Sequence, residues 1–140
     1  MLPEIWGRYA WNFLHLVTLD YPKNPTDTDK QNYYNFFNSV QHVLPCAKCR
    51  HNMTSHLKKY PLTNDILSNR DALIKWLIDL HNMVNYYTGK NMLSYSEAIG
   101  EMNKLTTASG CLCNNKWYYF FIIIFVLILC YLIYYFWKRK

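Results

Sequence analysis

No charged side chain falls between residues 117 and 137. That absence excludes an ordinary solvated surface helix there. Phe, Ile, Leu, Val and Tyr fill the run, which is long enough for a bilayer that needs about 20 apolar residues. Aromatics crowd both ends (Trp117, Tyr118, Tyr119; Tyr134, Tyr135, Phe136, Trp137), as where rings sit at the headgroup level. A signal peptide is missing too. Residues 1–10 include Glu4 and Arg8 and hold no long apolar core. Lys138, Arg139 and Lys140 carry half of the net charge of +6, so the remainder has an ordinary surface with no case for a nucleic-acid partner. No segment alternates as a strand and none repeats, which removes the βαβ setting of a thioredoxin-type redox motif.

What remains divides into a helical domain over residues 1–105, a flexible arm over 106–116, a spanning helix over 117–137 and a basic tail over 138–140. The expected class is all-α: a four-helix bundle with a short fifth helix, then one transmembrane helix. Without a signal peptide, a single pass this near the C-terminus reads as tail-anchoring, with residues 1–116 in the cytosol. The basic C-terminal flank argues for the opposite orientation. The missing signal weighs more, because a three-residue tail is easily translocated. The sequon Asn52-Met53-Thr54 offers a check, since it is glycosylated only in a lumenal domain.

The chain then reads as helices in order. Residues 4–20 carry Ile5, Trp6, Tyr9, Ala10, Phe13, Leu14, Leu16 and Val17 as a broad apolar stripe, with Pro3 suited to the first turn. Tyr21-Pro22 ends it. Thr26 or Asp27 caps a second helix to about Val43, striped by Tyr33, Phe36, Phe37, Val40, Val43 and Leu44, and Pro45 breaks it. A third helix starts at Cys46 and runs to about Lys59. Ser68-Asn69-Arg70-Asp71 resembles a capping box and opens a fourth, with Leu73, Ile74, Leu77, Leu80, Val84 and Tyr87 inward and Gly89 as its stop. A second box, Ser94-Tyr95-Ser96-Glu97, opens the short fifth helix, which carries Ile99 and Met102.

Leu44-Pro45-Cys46-Ala47-Lys48-Cys49 is the chemical centre. Two thiols three residues apart close a small disulfide ring or hold one side of a metal. At a helix start, the free N–H groups and the positive dipole end stabilise a thiolate at Cys46. Cys46, Cys49, His51 and His56 form a zinc alternative, although His51 follows Cys49 too closely for a good tetrahedral shell. On that alternative the chain is a non-enzymatic, membrane-anchored helical adaptor. Trp11 and His15 share a face of the first helix, and His81 and Asn85 share a face of the fourth. Each pair alone is an ordinary core pair or interhelical network.

Together these pieces carry a resemblance. Gly7-Arg8-x-x-Trp11-x-x-Leu14-His15 with Tyr21-Pro22, then Leu44-Pro45-Cys46-x-x-Cys49, then His81-Asn82-x-Val84-Asn85 with Gly89-Lys90, is similar to the Erv/Alr FAD-dependent sulfhydryl oxidases. The match covers nearly all of residues 4–102, in a compact form like those of large cytoplasmic DNA viruses. The resemblance implies a thiol oxidase that forms disulfides in protein substrates, with FAD as cofactor, oxygen as final acceptor and hydrogen peroxide as product, usually as a homodimer. It implies Cys46 and Cys49 as the redox pair, with Cys49 beside the flavin. It also implies Gly7, Arg8, Trp11, His15, His81, Asn82, Val84, Asn85 and Lys90 as cofactor-binding, and no metal.

This chain departs from the family in two places. Ile78 and Tyr95 stand where many members have a disulfide fastening the fourth helix to the segment after it, so a looser fifth helix is expected. Met102 falls at about the position where the family often has a Trp that contacts the flavin. Cys111-Leu112-Cys113 on the arm is a candidate shuttle disulfide between substrate thiols and Cys46–Cys49, or a lipidation site. Cys130 is an apolar filler in the membrane run. A shuttle beside the bilayer points to thiols of membrane-associated proteins, or of a thioredoxin-like carrier, as substrates.

Overall fold

The computed structural model describes the backbone of residues 1–110 and 116–139. Its helices are α1 (Pro3–Asp20), α2 (Asp27–Val43), α3 (Ala47–Lys59), α4 (Arg70–Tyr87), α5 (Tyr95–Gly110) and α6 (Lys116–Lys138), with a 3₁₀ turn at Ile66–Ser68. No strand occurs among the described residues. Two compact units result, Met1–Lys104 and Leu105–Lys140.

In the first unit α1 starts at Pro3 without a side-chain cap, and the later helices start where the sequence offers one. Thr26 accepts from Asp29 N, and the Asp29 carboxylate accepts from Thr26 N, completing a capping box for α2. Ser94 and Glu97 do the same for α5. The box expected at Ser68 does not form, and a single cap one residue later takes its place. Ser68 belongs to the 3₁₀ turn, and Asn69 caps α4 through Ala72 N at 2.9 Å. Gly89, at φ 70, ends α4 as expected. Gly89 N bonds Tyr86 O and Lys90 N bonds Asn85 O, a Schellman closure that fixes Lys90 against the end of the helix.

The main core gathers Leu14, Tyr21, Phe37, Leu57, Leu67, Leu73, Trp76 and Leu77, and α1 packs chiefly on α4. Tyr21 is wholly buried and its hydroxyl donates to Leu67 O at 2.8 Å. The Arg70 guanidinium donates to Tyr21 O. A second cluster joins Ile74 and Ile78 of α4 to Ala98 and Met102 of α5. Helix α4 is therefore buried on two sides, which is why Trp76 and Ile78 are core although a single stripe omits them. Tyr87, expected inward, is 58% exposed at the end of the helix.

Helix α5 is not short. It has 16 residues and runs to Gly110, past the boundary expected at residue 105. In the second unit α6 has 23 residues, about 34 Å of backbone at the usual rise. Its side chains are described only in part, and among the described residues no helix is long and apolar enough to cross a membrane. The expected span over 117–137 is thus not shown among the described residues. Phe120, Phe121, Ile123 and Phe125 are exposed.

Candidate active site

Pro45 follows the end of α2, and the chain re-enters a helix two residues later, at Ala47. Cys46 is the N-cap of α3 with extended backbone, and its sulfur accepts from Cys49 N at 3.2 Å. Cys46 and Cys49 are joined as a disulfide with Cα atoms 5.1 Å apart, inside the usual range. Arg50 ties the same turn down, donating to Leu44 O at 2.6 Å. The sulfurs are thus held at the positive end of α3, where a thiolate released by reduction is stabilised.

The two cysteines differ in what they face. Cys49 lines a cavity of about 380 Å³ and packs against the core, whereas Cys46 does not line it. The cavity lies among α1, α3, α4 and the turn after α4. Its wall includes Gly7, Arg8 and Trp11 from α1, then His81, Val84 and Asn85 from α4, then Lys90. Seven of the nine residues expected to bind a cofactor therefore meet at one site with Cys49.

The other two lie elsewhere. His15 is buried and sits beside His81, with Nε2 and Nδ1 3.0 Å apart. His81 stacks on Trp11 at 4.0 Å between ring centroids, nearly parallel at 8°. Asn82 donates to Leu93 O at 2.8 Å and accepts from Leu93 N at 3.0 Å, so its amide fastens the segment before α5. Met102 is buried in the second cluster.

Burial pushes the His15 imidazole down to about 4. Burial, then the neighbouring His15 and Lys90 charges, push His81 down to about 3. Both rings are neutral at pH 7, so one donates to the other and neither adds positive charge to the cavity. The cations of the wall are Arg8 and Lys90.

The wall also holds residues that sequence reasoning did not assign to it: Trp6, Asn52, Met53 and Tyr87, and His56, which was considered only for zinc. A signal for His56 exists in the sequence. It lies seven residues after Cys49, two helical turns on the same face. The zinc set itself is not assembled. The two thiols are bonded to each other, His51 is exposed while His56 is buried, and no group of three or more possible ligands occurs among the described residues. Cys111 and Cys113 lie outside the described residues.

The wall fits a large flat ring system carrying anionic groups. It offers a stacked pair of aromatic planes, apolar surface from Leu14, Leu44 and Met53, two cations, and two buried polar atoms without a partner, Trp6 Nε1 and His56 Nδ1. A volume of this size lies within the range of small-molecule sites, about 300–1,000 Å³.

The model of the Erv1/Alr family matches residues 8–104. A protein of Acanthamoeba polyphaga mimivirus, named a probable FAD-linked sulfhydryl oxidase, is 60% identical over 107 residues, covering 76% of this chain and 75% of its own. The FAD-linked sulfhydryl oxidase of African swine fever virus is 34% identical over 92 residues, covering 66% and 75%. Among solved structures, the FAD-binding domain of Erv1 from Saccharomyces cerevisiae superposes with a TM-score of 0.67 at 27% identity, covering 74% of this chain and 96% of that one.

Proposed function

We infer, from the premise that this chain belongs to the Erv1/Alr family, that it is an FAD-linked thiol oxidase working through Cys46 and Cys49. One observation carries the reading: a helix-capping disulfide has one cysteine on the wall of a ring-lined cavity that also holds Arg8 and Lys90, and the other off it.

A substrate thiolate attacks Cys46 sulfur, the one outside the cavity, and the Cys46–Cys49 bond breaks. Cys49 leaves as a thiolate against the cavity wall, stabilised by the α3 dipole. A second substrate thiolate attacks the substrate sulfur of the mixed disulfide and releases Cys46 as a thiolate. The substrate has then lost two electrons and gained one disulfide, and the enzyme pair holds those electrons. When bound, FAD supplies the chemistry no side chain here can, accepting that pair and passing it to oxygen as hydrogen peroxide.

Arg8 and Lys90 would hold the anionic part of the cofactor, and Trp11, His81, Val84 and Asn85 its flat part. His15 fixes the His81 ring from behind, and Asn82 holds the chain beyond the Schellman turn. The exposed stripe Ile5, Tyr9, Phe13 and Leu16 on α1 supports a homodimer formed through that face. The apolar helix α6 supports single-pass anchoring of a viral or host membrane, with residues 1–116 on the cytosolic side. Cys111 and Cys113 serve as a relay for thiols of membrane-associated proteins or of a soluble thioredoxin-like carrier.

The decisive measurement is a flavin spectrum of the purified full chain together with oxygen uptake on a small dithiol. Cys49→Ser and Cys46→Ser should each keep the yellow colour and lose turnover to background. Turnover retained in either variant would remove the proposed centre. For the membrane, the full chain should float with liposomes and a chain ending at residue 116 should not. Flotation of both would remove α6 as the anchor.

A further inference from the structure

Two buried polar atoms border the same cavity and have no partner: Nε1 of Trp6 on α1 and Nδ1 of His56 on α3. His56 is 7% exposed, and it leaves α3 on the face that carries Cys49. Buried polar groups in folded proteins are almost always paired, so each exception calls for a reason. Neighbouring side chains supply none. His56 meets the Tyr87 ring at 5.1 Å between centroids, a contact made by ring faces and edges. The nearby Lys59 ammonium donates to the Tyr87 hydroxyl. Trp6 packs against the main core through its ring. The other buried side-chain nitrogen without a partner among the described residues, His15 Nδ1, belongs to a residue that does not line the cavity.

Resting on the oxidase reading above, we propose that Trp6 and His56 are cofactor-binding residues, their buried nitrogens pairing with polar atoms of bound FAD. The indole N–H is a donor only, so Trp6 takes an acceptor: a ring carbonyl, a ring nitrogen or a phosphate oxygen. Burial, then the Lys59 charge, hold the His56 imidazole below its ordinary range. A neutral ring at pH 7 presents Nδ1 as either donor or acceptor. FAD offers both kinds of group.

The proposal makes the two states of the protein respond in opposite directions. In cofactor-stripped protein, replacing an unsatisfied nitrogen by carbon is neutral or stabilising, whereas in the loaded protein it deletes a hydrogen bond. For His56→Phe in the full chain, the melting temperature without FAD should match or exceed wild type. FAD affinity, read by fluorescence titration of stripped protein, should fall about 3- to 10-fold. His56→Asn, which restores a polar group there, should recover part of that loss. Trp6→Phe should weaken FAD binding by a similar factor. If His56→Phe does not fold, the same titration is read on His56→Leu. Unchanged FAD affinity in both the His56 and Trp6 variants, with wild type binding FAD, overturns this proposal alone. Failure of wild type to take up FAD overturns the oxidase reading beneath it.

Discussion

Helix α1 has two apolar faces, and they meet different fates. One carries Trp11, Leu14, His15 and Thr18. Its last three are buried, Thr18 completely, with the Thr18 hydroxyl donating to His15 O at 2.8 Å. The other carries Ile5, Tyr9, Phe13 and Leu16, all exposed, Tyr9 to 74%. Ranked by hydrophobicity alone, a histidine and a threonine would lie outside and Ile5 and Phe13 inside. The inversion follows from partners: His15 pairs with His81 and Thr18 with a carbonyl of its own helix, so both polar groups have a hydrogen bond in the interior. The outer face is a row of large side chains awaiting another surface.

The contrast can be tested by changing one face at a time. The largest effect belongs to Leu14→Ala, which should lose about 2–5 kcal/mol by chemical denaturation, as buried leucines do. A loss below about 1 kcal/mol would mean that the inner face is not core. Next comes acid. Both His15 and His81 titrate in the folded chain well below their ordinary value of 6.5, at about 4 and about 3. Below pH 6.5 the unfolded chain therefore binds more protons than the folded one. Stability should be full above 6.5 and fall as pH drops from 6.5 towards 4. His15→Asn should flatten that decline, and an unchanged slope would show that the buried pair does not cause it.

Thr18→Val keeps the side-chain shape and removes one buried hydrogen bond, so about 1 kcal/mol should be lost, read from the same denaturation curves. The smallest change in fold stability is expected on the outer face. Phe13→Asp should stay within about 0.5 kcal/mol for the monomer, yet halve the mass seen by sedimentation. A variant that still sediments as a dimer would move the interface elsewhere.

Much of this could be read directly from residues, and the exceptions have physical causes. Pro45 beside Cys46 announces both the break and the new helix start, and the disulfide lies there. Thr26 with Asp29 and Ser94 with Glu97 each offer one capping solution, and each forms. Ser68 and Asn69 are two cap-forming neighbours, and which one serves depends on a 3₁₀ turn that packs Leu67 inward. Trp76 and Ile78 escape a single-stripe reading because α4 has a neighbour on either side. His56 and Trp6 gain their meaning only once α1, α3 and α4 enclose a common space. Asn82 sits in the motif as a cofactor contact, yet its amide is occupied by Leu93. Asn82 lies within α4, and its partner is a loop residue eleven positions on, which helical spacing does not reveal.

The fastening of α5 has a chemical corollary. Ile78 packs with Ala98 and Met102, while Asn82 grips Leu93 nearby. Neither grease nor amide responds to a reductant. A dithiol that opens the Cys46–Cys49 bond therefore finds no sulfur to attack in this fastening at the far end of the bundle.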